Sequence, residues 1–211
     1  MGQTVNIGSR IELVPLDPHC GEISIALYLQ QSDQGPVFLV HTYSHHQDAK
    51  ERISSVVKMM EVLGGMETNS EGTLRFPCGH AHRLAVKRVF LEACKLENSN
   101  TVKPLPLEIL DKKSGLQIRV LSQGKDGYQV TAFGEGKNRE QRISFIAGGL
   151  MKLGEMDEVG GTLDRIVFPC AYLHDALVGL LLLRAPNVRA VLREQTATAG
   201  RGVLAAPSQQ E

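Results

Sequence analysis

Two short motifs hold the side chains best suited to chemistry: Cys78 precedes His82 by four residues, and Cys170 precedes His174 by the same interval. Each motif falls where a strand is expected to give way to a helix. Residues four apart on a helix project from one face, so each pair has the reach to share a ligand. Thiolate and imidazole are the donors that Zn²⁺ takes in tetrahedral sites. Cys78, His82, Cys170 and His174 are therefore the candidate metal ligands, on the condition that the two motifs converge. The blander expectation is a pair of small buried cysteines, each with a half-exposed histidine in the first turn of a helix. Spacing within one zinc motif is more commonly Cys-x₂₋₄-Cys.

Cys78 has a second chemical reading, as a reactive thiol. A helix N-terminus stabilises thiolate and lowers its pKa, with His80 and His82 near enough in sequence to tune it. His41, His45 and His46 belong to the first half only, the corresponding stretch Thr131 to Lys137 having no histidine. The expectation for these three is a solvated strand end before Asp48. Gly134-Glu135-Gly136-Lys137 lacks the spacing of a phosphate-binding loop and reads as a turn.

What must position the motifs is a unit of roughly ninety residues written twice. Arg52-Ile53-Ser54 recurs as Arg142-Ile143-Ser144, and Leu63-Gly64 with Met66 recurs as Leu153-Gly154 with Met156. Phe76-Pro77-Cys78 and His82 recur as Phe168-Pro169-Cys170 and His174, after a small insertion expected in the loop from Asp157 to Arg165. Upstream, Ile11, Leu13, Leu16 and Asp17 answer Leu105, Leu107, Leu110 and Asp111.

Within each unit the hydrophobic period changes from two to about 3.6 and back. Strands are expected over Ile11 to Leu16, Ile23 to Leu29 and Val37 to Tyr43, the first at an edge because Pro15 cannot donate to a ladder. A helix follows from Asp48, its apolar stripe formed by Ile53, Val56, Val57, Met60 and Leu63 and its end set by Gly64-Gly65. A strand over Thr73 to Phe76 and a helix carrying Leu84, Val86, Val89, Phe90 and Ala93 complete the unit. The second unit repeats this, with strands at Leu107 to Leu110, Leu116 to Leu121, Tyr128 to Phe133 and Ile166 to Phe168. Its helices run from Arg139 to Leu153 and from Tyr172 to Leu183. Gly148-Gly149 inside the first of these points to close helix packing or a kink.

The expected fold class is thus α+β: a duplicated β-β-β-α-β-α unit giving two pseudo-symmetric antiparallel sheets with helices on one face of each. Residues 1–98 form the first unit, 99–106 a linker, 107–194 the second unit, and 195–211 a tail without apolar period. This element order resembles the ribosomal-protein S5 domain 2-like fold. Duplicated enzymes of that fold carry clustered His and Glu, or His paired with Asp four residues on. Neither motif occurs here, so the resemblance implies an architecture and transfers no activity.

The 211 residues are 42% apolar and 22% charged, with 23 basic residues balancing 23 acidic ones. That balance supplies no long-range field to gather polyanions, so nucleic acid is not an expected partner. No apolar run is long enough for a signal sequence or a bilayer span, which predicts a cytoplasmic protein with reduced cysteines and no membrane partner. The functional expectation is a non-enzymatic module binding a protein or small molecule. The alternative is a small metal- or thiol-dependent enzyme with its site between the repeats. Sheet edges left unsealed also make homo-oligomer formation an expectation.

Overall fold

A computed structural model describes residues 8–16, 23–97, 99 and 102–189. In the first half, β1 (Ser9–Pro15), β2 (Ser24–Ser32) and β3 (Gly35–Thr42) make an antiparallel meander. Ser32 closes the β2–β3 turn by donating its hydroxyl to the Gly35 carbonyl at 2.8 Å. Next comes α1 (Ala49–Gly64), ended by Gly65 in the left-handed region at φ 60°. Val56, Met60 and Leu63 are buried, while Ile53 and Val57 pack at the core margin, as the stripe predicts.

The unit then departs from its expected order. A short hairpin, β4 (Glu67–Thr68) with β5 (Leu74–Arg75), stands where one strand was expected, and only then does α2 (Arg83–Leu96) begin. The sheet order is β1-β2-β3-β5-β4, with Pro15 on the edge strand. A two-residue strand such as β4 has too few residues to show a period, which is why pattern alone passes over it.

The second half follows the same plan. It contains β6 (Glu108–Asp111), β7 (Leu116–Ser122), β8 (Tyr128–Phe133), α3 (Arg139–Gly154), β9 (Asp157–Val159), β10 (Thr162–Val167) and α4 (Asp175–Arg184). Its sheet order, β6-β7-β8-β10-β9, is that of the first sheet. The segment expected to be a loop, Asp157 to Arg165, is instead mostly the β9–β10 hairpin, longer than its counterpart and turned by Gly160-Gly161 at φ 67° and 71°. An insertion at a hairpin lengthens it outward, where no packing opposes growth. The tail expected over 195–211 lies outside the described residues, as does Asp17.

Each half is held by the same device. An added Cβ at Gly64 would stand 3.0 Å from Val89, and at Gly154 it would stand 2.9 Å from Leu181, so each first helix lies almost against the second. Gly149 lets α3 approach Ala185 in the same way, whereas the space beside Gly148 is open. The close-packing alternative therefore belongs to Gly149 alone. Arg142 makes two hydrogen bonds to buried Asp111, at 2.8 Å each, and Arg52 reaches Glu97 and the Leu16 carbonyl.

The halves meet through their helices, and equivalent positions meet each other. Glu92 pairs with Arg184, and its counterpart relation is the one that links Cys78 to Cys170. The carboxylate of Glu155 accepts the Leu84 N–H across the join, while on the other side Gly65 comes against Ala176. Among the described residues, no helix is long and apolar enough to cross a membrane.

Candidate metal centre

Each half delivers its cysteine by a tight turn. After β5, Phe76 and Pro77 lead into Cys78, and the Gly79 N–H bonds the Phe76 carbonyl at 3.0 Å. After β10, Phe168 and Pro169 lead into Cys170, and the Ala171 N–H bonds the Phe168 carbonyl at 2.8 Å. Gly79 and Ala171 both take positive φ, at 72° and 54°. Glycine does this freely, but alanine bears a steric cost.

The histidines stand one position before their helices. His82 caps α2 and His174 caps α4, neither side chain bonding its own helix. A Ser, Thr, Asp or Asn there would stabilise the helix by about 1 kcal/mol. His82 also holds φ 41°, outside the region comfortable for a branched or bulky residue.

The outcome is a single cluster. One ligand atom each from Cys78, His82, Cys170 and His174 lies within 4.8 Å of all the others. Cys78 Sγ is 3.2 Å from His82 Nε2, and Cys170 Sγ is 3.4 Å from His174 Nε2. The His82 and His174 rings are 4.8 Å apart, edge to face. Phe76 and Phe168 close the inner side, each ring meeting both histidines at 4.9 to 5.6 Å. The histidines are 8% and 4% exposed, while both cysteines are half-buried.

The expected proximity of Cys and His is correct in result but different in cause. Neither cysteine is helical, since α2 begins at Arg83 and α4 at Asp175. Turn geometry folds each Cys onto its His. Cys78 lies outside the N-terminal turn of α2, and burial pushes its thiol up to about 11. Burial likewise drives His82 and His174 down to about 4, with neighbouring histidines adding to the effect. At neutral pH both imidazoles are therefore uncharged, the form in which they ligate metal.

The surroundings are not symmetric. Tyr128, fully buried, donates its hydroxyl to Asp175 at 3.0 Å beside Cys170. On the Cys78 side, His80 directs its backbone N–H to the sulfur at 3.4 Å. His41, His45 and His46 take no part: His41 stacks edge-on with Tyr43 at 5.0 Å, and His45 and His46 are exposed. Gly134 to Lys137 is a turn, as expected, tied by Arg139 to the Gly134 carbonyl at 2.6 Å. Sequence reasoning missed Phe76 and Phe168 as walls of the cluster, although both stand inside the repeated Phe-Pro-Cys.

The cluster dictates how metal affinity varies with pH. A metal held by this cluster would displace the Cys78 proton, so affinity is expected to rise at least tenfold per pH unit between about pH 6 and pH 8. Histidine protonation enters only as pH falls through about 4, so the profile has no inflection near the ordinary value of 6.5. Competition with a chromogenic chelator across that range measures the slope. A flat profile, or a break near 6.5, contradicts the arrangement.

Fold and cluster together define an α+β protein of two like sheets with a Cys₂His₂ donor set at their join. No family, curated protein or solved structure matches this chain.

Proposed function

We propose that this chain is a zinc-locked binding module without catalytic activity, in which one ion joins the two duplicated halves into a single rigid body. The carrying observation is that each half contributes one cysteine and one histidine to a set of four donors within 4.8 Å. Zinc bound at about 2.3 Å to sulfur and about 2.0 Å to nitrogen needs ligand–ligand separations of roughly 3.3–3.8 Å. The two Cys–His separations, 3.2 and 3.4 Å, already lie close to that range. Two thiolates neutralise the ion, which suits a centre backed by phenylalanine rings.

Four protein donors fill a tetrahedron and leave no position for a reacting water, which favours a structural over a catalytic ion. The rigid pair of sheets is then the platform for a protein or small-molecule ligand.

Protein expressed without a histidine tag is expected to carry one zinc per chain by elemental analysis. Cys78→Ser and His174→Ala, one from each half, should each abolish it. Metal retained in either variant, or absent from the parent protein after reconstitution, overturns the proposal.

A further inference from the structure

We infer that the zinc centre is redox-labile: a peroxide oxidises Cys78 and Cys170 to a disulfide that joins the halves and expels the ion. The inference rests on the zinc reading above and concerns the regulation of that same site. Its basis is which donor residues are the more exposed. The histidines are 8% and 4% exposed and pack against the phenylalanines, whereas Cys78 and Cys170 are half-buried residues. A small oxidant therefore reaches the cysteines before the histidines.

Position favours the cross-link as well. Each sulfur sits in a short turn between a strand and a helix, and all four donor atoms lie within 4.8 Å. In a zinc tetrahedron the two sulfurs are roughly 3.8 Å apart, and a disulfide requires about 2.05 Å. Each turn must move inward by roughly 1 Å, a change that the two turns can absorb without disturbing strand pairing.

The chemistry balances with the peroxide as oxidant. One thiolate attacks a peroxide oxygen, the O–O bond breaks, and a sulfenic acid and hydroxide form. The second thiolate attacks that sulfur, forming the S–S bond as the S–O bond breaks and hydroxide leaves. Two electrons pass from the sulfurs to the two oxygens, and solvent protons complete two waters. The ion then retains only two imidazoles and dissociates. Cys94, 7% exposed and enclosed in the core, is out of reach of this reaction.

The test uses the full, zinc-loaded chain, its zinc content verified first by elemental analysis, and hydrogen peroxide as the probe. Release of one zinc per chain, read by a chromogenic chelator, should track a mass loss of about 2 Da. Peptide mapping should show Cys78 joined to Cys170, and a dithiol reductant should restore both mass and zinc uptake. Cys94→Ala is expected to respond like the parent protein. Zinc retained under peroxide, or released with a single cysteine carrying about 32 Da of added oxygen and no cross-link, overturns this inference and leaves the zinc reading intact. A chain that never takes up zinc overturns both, and is recognised before peroxide is added.

Discussion

Zinc added to metal-free protein is expected to raise its melting temperature by roughly 10 °C. A ligand that binds only the folded state stabilises it by about 4 kcal/mol when its free concentration is a thousand times Kd. For a chain of this size each kcal/mol moves the midpoint by about 2–4 °C. The effect is large because the four donors are brought together only by folding: Cys78 and His82 come from one half, Cys170 and His174 from the other. The unfolded chain offers two separate Cys–His pairs, which hold the ion weakly. Differential scanning calorimetry with zinc and then with excess chelator measures the shift. His174→Ala should show none, although it keeps the hydrophobic core that folds the metal-free protein. A melting temperature indifferent to zinc and chelator alike would remove the structural role assigned to the ion.

Phe168→Ala is expected to cost about 3–5 kcal/mol, the range for truncating a buried aromatic ring. Phe168 is 1% exposed and touches three rings at once: His82 at 5.2 Å, His174 at 4.9 Å and Tyr128 at 6.3 Å. The cavity would open directly behind the cluster, freeing both histidines to leave their ligating rotamers. Two readouts therefore move together, a lower urea midpoint and a weaker zinc affinity. Phe168→Leu refills most of the volume and should recover most of the stability, but it lacks the ring edge that orients the imidazoles. Recovery of stability with zinc binding still impaired marks a positioning role. Full recovery of both assigns Phe168 to packing alone.

Much of this arrangement is legible in one dimension. The repeated Arg-Ile-Ser, Leu-Gly and Phe-Pro-Cys blocks announce two like halves, because a duplicated unit keeps the residues that its core and turns need. Period two and period 3.6 locate strands and helices, since alternate residues of a strand and every third or fourth residue of a helix share a face. The β8 strand lies where alternation puts it, from Tyr128 to Phe133. Missing from that reading are β4 and β9, two and three residues long, which exist only because β5 and β10 lie beside them to pair with.

The chemistry was divided differently. Sequence by itself nominated Cys78, His82, Cys170 and His174, from residue type and from their recurrence in both halves. Whether they converge is a relation between segments far apart in the chain, and no local pattern records it. Only tertiary structure decided it, through helices that meet at equivalent positions, as Glu92 and Arg184 do, and so set the His82 and His174 rings 4.8 Å apart. The same packing removed the helical explanation for each Cys–His pair and put a turn in its place. It also covers part of Cys78, and burial disfavours thiolate where an exposed helix terminus would have favoured it.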